Sequence, residues 1–164
     1  MLSGVFPAID VVRLFAIVFV AICLVPAGAH LAELPNKMAL PPGEYMIVQK
    51  IYHGWALFGV AVFGALVFTL VHTMMVWREP IPGGLSLLSF LALAGTQVIF
   101  WTYTYPMNAL TQNWTVTPES FHTVRQQWEY SHAVNALITF AALVLLTLSV
   151  LLSRGHVPTA TATG

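Results

Sequence analysis

Residues 114–132, W-T-V-T-P-E-S-F-H-T-V-R-Q-Q-W-E-Y-S-H, run without a break into residues 133–152, A-V-N-A-L-I-T-F-A-A-L-V-L-L-T-L-S-V-L-L. The second part carries no charge and is about the 20 residues that a membrane-crossing helix needs. The first part sets His122, Arg125, Glu129 and His132 at i, i+3, i+7 and i+10. At about 100° per residue these four fall within an arc of about 80° on a helix. One helix face thus carries an acid, a base and two imidazoles, and the helix then enters hydrocarbon. Ionisable groups at that depth are costly, and by default they mark function.

Three more apolar runs precede this one, giving expected helices over residues 9–34, 44–77, 85–105 and 118–153. Pro26 is expected to kink the first helix, and Pro35 to end it, because the residue before a proline avoids the α region. The second helix is expected to be continuous from residue 44, with Gln49 and His53 at i, i+4 on one face. The third is expected to end in aromatic residues, Phe100, Trp101, Tyr103 and Tyr105, that wall a pocket. Thr117, Pro118 and Glu119 read as a helix start, with a capping hydroxyl, a proline at the first position and an acid in the first turn. The expected fold class is all-α, an integral membrane four-helix up-down-up-down bundle, with the 164 residues forming a single transmembrane domain.

Composition agrees. The chain is 58% hydrophobic and 7% charged, where a soluble domain carries about 25% charged residues, and its mean hydropathy is +0.80. Net charge is zero, which removes the basic footprint of nucleic-acid binding. The single Cys23 excludes an intrachain disulfide framework. No cleavable leader is expected, because no basic segment precedes the first apolar run.

The up-down order sends His30, Glu33, Gln49, His53, Tyr103, Tyr105, Asn108, His122, Arg125, Glu129 and His132 to one membrane face. It sends Asp10, Arg13, His72, Arg78, Glu79 and Arg154 to the other, with His72 expected at the interface and His156 in the tail. The first group suits metal ligation by imidazole and carboxylate, with iron, copper or zinc as candidates. Glu129-x-x-His132 is the unit used by bundle metal proteins, and His30-x-x-Glu33 repeats its spacing in reverse. The candidate metal ligands are therefore His30, Glu33, His53, Glu129 and His132. Glu129, Arg125 and Asn108 are the candidate catalytic residues. A haem is the alternative cofactor, with His53 and His132 as its axial pair. The competing structural reading is a network of helix ends in which Arg125 pairs with Glu129.

The segments M-N-A-L-T-Q-N-W (107–114) and P-E-S-F-H-T-V-R-Q-Q-W-E-Y-S-H-A-V-N-A (118–136) resemble the C-terminal signature of the anthrone-oxygenase-like family. Asn108, Trp114, Arg125, Trp128, Glu129 and His132 occupy its positions. H-L-A-E-L-P-N-K-M-A-L (30–40) and Q-K-I-Y-H-G-W-A-L-F-G (49–59) resemble membrane proteins of the same kind. The resemblance implies a small four-helix integral membrane protein. The family takes its name from members that oxidise polyketide anthrones. The metal reading comes from the residues alone.

Three functions follow from these readings. The first is a membrane-embedded oxidoreductase or oxygenase acting on a small lipophilic substrate. The second is a non-catalytic subunit of a homo-oligomer or larger membrane complex. The third is a haem or quinone electron carrier. The bilayer is the expected partner in all three. Lys37, Lys50 and Arg125 lie near one face and Arg13, Arg78 and Arg154 near the other, so basic residues give no orientation. The acids Glu33, Glu44, Glu119 and Glu129 gather at the site face. The expected location is a bacterial inner membrane with cytoplasmic termini.

Overall fold

The computed structural model of the protein describes residues 7–153, so Arg154 and His156 lie outside the described residues. Helix α1 spans Ala8–Ala39. It passes through both Pro26 and Pro35, so the expected stop at residue 34 is corrected. Each proline removes one backbone hydrogen bond, yet the helix continues. At its C-terminal end, the buried Lys37 bonds to Gln49, Tyr52 and Glu129, which belong to two other elements.

The expected continuous helix over residues 44–77 is also corrected. A short α2, Pro42–Val48, passes into 3₁₀ turns at Gln49–Tyr52 and Trp55–Leu57, and only then into α3, Phe58–Val76. Between the two turns Gly54 sits at φ +86°, a left-handed backbone that glycine adopts at no steric cost. The break turns Tyr45, Gln49 and Tyr52 inward, while Ile47, Ile51 and Leu57 stay exposed.

Helix α4 starts at Pro80 and runs to Ile99, five residues earlier than expected. Both Pro80 and Pro82 fall in its first turn, where a missing N–H has no intrahelical partner to lose. A π turn over Phe100–Thr104 then leads into α5, Tyr105–Leu110. Pro106 explains the widened turn, because it cannot donate to the carbonyl one turn back and its ring displaces that backbone. Beside this turn, Gln127 Nε2 donates to the Tyr103 carbonyl at 3.1 Å. The aromatic residues expected to wall a pocket here, Trp101, Tyr103 and Tyr105, are exposed.

Helix α6 spans Phe121–Leu152 and not residues 118–153, and no side chain caps its start. The Phe121 ring meets Tyr45 edge-on at 5.5 Å, and the first helical bond runs from Val124 N–H to the Ser120 carbonyl. Tertiary packing of Phe121 thus overrides the Thr117 capping signal.

Helix α1 packs on α3 and α6, and α4 packs on α3 and α6. At one end of the α1–α6 pair Arg13 bonds to Ser153, and at the other Lys37 bonds to Glu129, so the two run antiparallel. Helices α4 and α6 also run antiparallel, joined by Ser149 Oγ to the Pro82 carbonyl, Ser89 Oγ to the Ala142 carbonyl and Thr104 with Ser131. The central layer is Ala16, Val20, Ala65, Leu93, Ala142 and Leu146. Gly64 admits the Phe19 ring, which a Cβ there would meet at 2.7 Å.

Among the described residues, four helical segments are long and apolar enough to cross a membrane: Ala8–Ala39, Trp55–Val76, Pro80–Leu110 and Phe121–Leu152. Their outward faces carry Leu14, Val25, Phe63, Leu137 and Phe140. The protein is an all-α integral membrane protein. At the end away from the Lys37–Glu129 pair, His72 is fully buried within the bundle. Its Nδ1 lies 3.0 Å from Ser86 Oγ, which also bonds to Thr73.

Candidate functional site

The site is built where α1 ends, α6 begins and the 42–55 segment crosses them. Glu129 on α6 is its centre, with a relative exposure of 0%. Its Oε1 accepts from Lys37 Nζ at 2.7 Å and from the Tyr45 hydroxyl at 2.7 Å. Its Oε2 is buried and has no hydrogen-bond partner among the described residues.

Lys37 is 3% exposed. Besides Glu129, its ammonium donates to the Tyr52 hydroxyl at 3.1 Å and to Gln49 Oε1 at 3.4 Å, and lies 3.6 Å from Glu33. The Tyr52, Trp128 and Tyr45 rings surround it, with centroids at 4.6, 4.6 and 5.1 Å. Carboxylates and ring faces together replace the water that a buried ammonium gives up. Gln49 closes the circuit by donating to the Tyr45 hydroxyl at 2.6 Å.

A second arm runs through Glu33. The Tyr52 hydroxyl donates to Glu33 Oε1, and His30 Nδ1 lies 3.0 Å from the same oxygen. The His30 ring stacks on His132 at 4.1 Å, and His132 meets Trp128 at 4.2 Å. Burial, reinforced by Glu129, pushes the Tyr45 phenol well above the usual tyrosine range. Burial and the bond to Glu33 do the same for Tyr52. Both phenols therefore remain donors.

Arg125 does not pair with Glu129. Its Nη1 donates to the Leu40 carbonyl at 2.8 Å, and its guanidinium lies against the Phe121 and Tyr45 rings. Formal charge nevertheless balances: Glu33 and Glu129 against Lys37 and Arg125. Such neutrality lets four charged groups persist at a membrane-embedded end. Asn108 touches none of these charges. Its Oδ1 accepts from the Trp128 and Trp114 indoles at 2.7 and 3.1 Å.

Compared with protein-family models, with characterised proteins and with solved structures, the chain matches none.

The fold brings His30, Glu33, Glu129 and His132 to one end, but not as a ligand set. Among the described residues, no three His, Cys, Asp or Glu side chains stand where they could share a metal ion. The physical reason is Lys37: its ammonium occupies the space between the two carboxylates that a cation would need. His53 lies apart. It is exposed, and its ring makes no hydrogen bond, ion pair or ring contact among the described residues. Tyr52, one residue earlier, takes the inward place. Among the described residues, no contact joins His53 to His132, the pair expected to hold a haem. His122 is likewise exposed, against Phe121.

Sequence reasoning missed Lys37, Tyr45 and Tyr52 as site residues. The signals were present. Glu33 and Lys37 are at i, i+4, the spacing of a helical ion pair, but Pro35 between them reads as a stop. Tyr45, Gln49 and Tyr52 are at i, i+4 and i+7 and so share one face.

Proposed function

We propose that this protein is a membrane-embedded oxidoreductase of the oxygenase type, in which Glu129 is the general base acting on a small lipophilic aromatic substrate. The carrying observation is the division of labour on its carboxylate: Oε1 holds Lys37 and Tyr45, while the equally buried Oε2 has no protein partner among the described residues. A general base needs an acceptor atom held ready.

In this reading the proton of an acidic C–H or O–H passes to Glu129, and the electron pair stays on the substrate. The Lys37 ammonium and the Tyr45 hydroxyl, fixed in advance, stabilise the anion that forms. The electron pair of that anion, delocalised over aromatic rings, can then form a C–O bond to dioxygen, the co-reactant of an oxygenase; the peroxide takes the proton back from Glu129, and loss of water leaves the ketone. Trp128, Tyr52, Trp55, His30 and His132 form a cluster of rings beside this carboxylate, surroundings of the chemistry that a flat aromatic substrate would meet. The anthrone-oxygenase-like signature at Asn108, Trp114, Arg125, Trp128, Glu129 and His132 supports the same substrate class. The acids Glu33, Glu44, Glu119 and Glu129 at the site end favour cytoplasmic termini; a bacterial inner membrane is part of the same proposal.

Oxygen uptake with anthrone as the probe, in nanodiscs, tests the proposal. Wild type should exceed the uncatalysed rate, and Glu129→Gln should lose about 10²-fold or more, the usual contribution of a general base. Wild-type uptake no faster than the uncatalysed rate, or full uptake by Glu129→Gln, refutes it. The balance of two acids with two bases favours a second reading, a non-catalytic subunit whose helix ends are tied together. That reading requires no turnover in either protein.

A further inference from the structure

We infer that Asn108 is a positioning residue: its Oδ1, shared by two indoles, sets the ring that holds the Lys37 ammonium against Glu129. The inference concerns the site proposed above and rests on that reading for its functional meaning, but its test needs no turnover.

Trp128 and Trp114 are 4% and 6% exposed. Each indole has one N–H to satisfy, and both turn to the same oxygen, at 2.7 and 3.1 Å. A carbonyl oxygen has two lone pairs, so this pair of bonds fills it. The two rings are thereby fixed 5.5 Å apart at 74°. The clamped Trp128 touches both arms of the site, with Lys37 Nζ at 4.6 Å from its centroid, His132 at 4.2 Å and His30 at 5.1 Å. Without the Nε1 bond, nothing polar would fix the ring's rotation beside the ammonium.

The support beneath Asn108 is unusual in itself. The Asn108 carbonyl accepts from Asn113 N–H at 2.7 Å, and the Thr111 hydroxyl donates to the neighbouring Met107 carbonyl at 2.8 Å. The Trp114 N–H donates to Thr111 Oγ1 at 3.1 Å. The loop pays for this closure with three consecutive left-handed residues, Gln112, Asn113 and Trp114, at φ +49°, +56° and +64°. L-residues disfavour that conformation, and it persists where surrounding structure over-determines it. Here the over-determined product is the placement of Asn108 and Trp114 under Trp128.

The chain has two lysines, Lys37 buried and Lys50 exposed, so each molecule carries its own control. Purified protein in detergent is acetylated with an N-hydroxysuccinimide ester, and the two sites are quantified by peptide mass spectrometry. Wild type should label at Lys50 and be protected at Lys37. Asn108→Leu keeps the volume and removes the acceptor. It should raise Lys37 labelling relative to Lys50 by about tenfold, the scale on which losing one buried hydrogen bond shifts a local opening. It should also abolish the far-ultraviolet exciton couplet of the two indoles. Asn108→Asp retains the acceptor oxygen and should restore both signals. In a Trp128→Phe background, which lacks the indole N–H, Asn108→Leu should change Lys37 labelling no further. If Asn108→Leu fails to fold, Asn108→Ser, too short to reach both indoles, must show the same direction. Protected Lys37 with an intact couplet in Asn108→Leu overturns the inference. Equal damage from Leu and Asp also overturns it, because that marks a merely structural residue. A positive labelling result together with no oxygen uptake would leave the positioning role standing and sink the proposed activity.

Discussion

The most exposed consequence of the site is the energetic coupling of Lys37 and Glu129. Their charged atoms are 2.7 Å apart, with side chains 4% and 0% exposed. At an effective dielectric of about 20, that separation corresponds to a Coulomb attraction of about 6 kcal/mol. Desolvation of the two ions takes back part of it, and breaking such a buried pair from one side costs roughly 3–5 kcal/mol. The two single variants should differ. Glu129→Gln leaves an ammonium that still has Glu33 at 3.6 Å and the Tyr52 hydroxyl at 3.1 Å, so its cost belongs at the lower end, about 3 kcal/mol. Lys37→Met strands two carboxylates, with Glu129 wholly buried, and its cost belongs at the upper end, about 5 kcal/mol. Besides Arg125, which is bonded to the Leu40 carbonyl, the double variant leaves only the charge of Glu33, whose side chain is 25% exposed and can reach water. It should therefore be less destabilised than the sum of the singles by about 3 kcal/mol, the coupling expected of residues in direct contact. At about 2–4 °C per kcal/mol for a chain of this size, the gap is about 6–12 °C in melting temperature. Thermal unfolding in one detergent, read for all four proteins, measures it. Additivity of the singles to within about 0.5 kcal/mol would show that the two charges do not feel one another, and the site as described would be wrong.

Two further outcomes follow from the packing and the phenols. Gly64→Ala should destabilise by about 1–3 kcal/mol as an overpacked core position, because its Cβ would lie 2.7 Å from a Phe19 ring that is stacked on Phe15 and Phe68; in a Phe19→Ala background the same change should be nearly neutral in thermal unfolding. Tyr45 and Tyr52 are held protonated, first by burial and then by Glu129 and Glu33 respectively. Their folded values lie above the unfolded one of about 10, so their share of stability is complete below that pH and is lost as pH climbs beyond it. Alkaline titration at 295 nm should therefore be the same for folded wild type, Tyr45→Phe and Tyr52→Phe, and phenolate from these two positions should appear only on unfolding.

The membrane class and the four spans were legible in the sequence, because hydrocarbon imposes a one-dimensional rule: an uncharged run of sufficient length must cross or be buried. The face bearing Glu129 and His132 was legible too, because helical periodicity is local. Periodicity also failed where a local rule met a tertiary contact. Pro35 signals a stop, but α1 continues because Lys37, two residues on, is satisfied by Glu129, Tyr52 and Gln49 across the bundle. Thr117 signals a cap, but the Phe121–Tyr45 contact accompanies a later start. His53 shares a helical face with Gln49 only if the helix is regular there. The 3₁₀ turns and Gly54 at φ +86° change which residues point inward, and Tyr52 is substituted for His53. Most of all, the sequence offers Glu129 two basic partners, Arg125 one turn away and Lys37 92 residues away. Local spacing favours the first. The packed bundle selects the second, because α1 and α6 run antiparallel and bring Lys37 beside Glu129, while Arg125 turns to the Leu40 carbonyl. Composition and periodicity determined what kind of solvent this chain lives in and which helix face carries charge; the choice of partner for each buried charge was decided by the tertiary structure, since desolvated ions interact with whatever packing sets beside them and not with their neighbours in sequence.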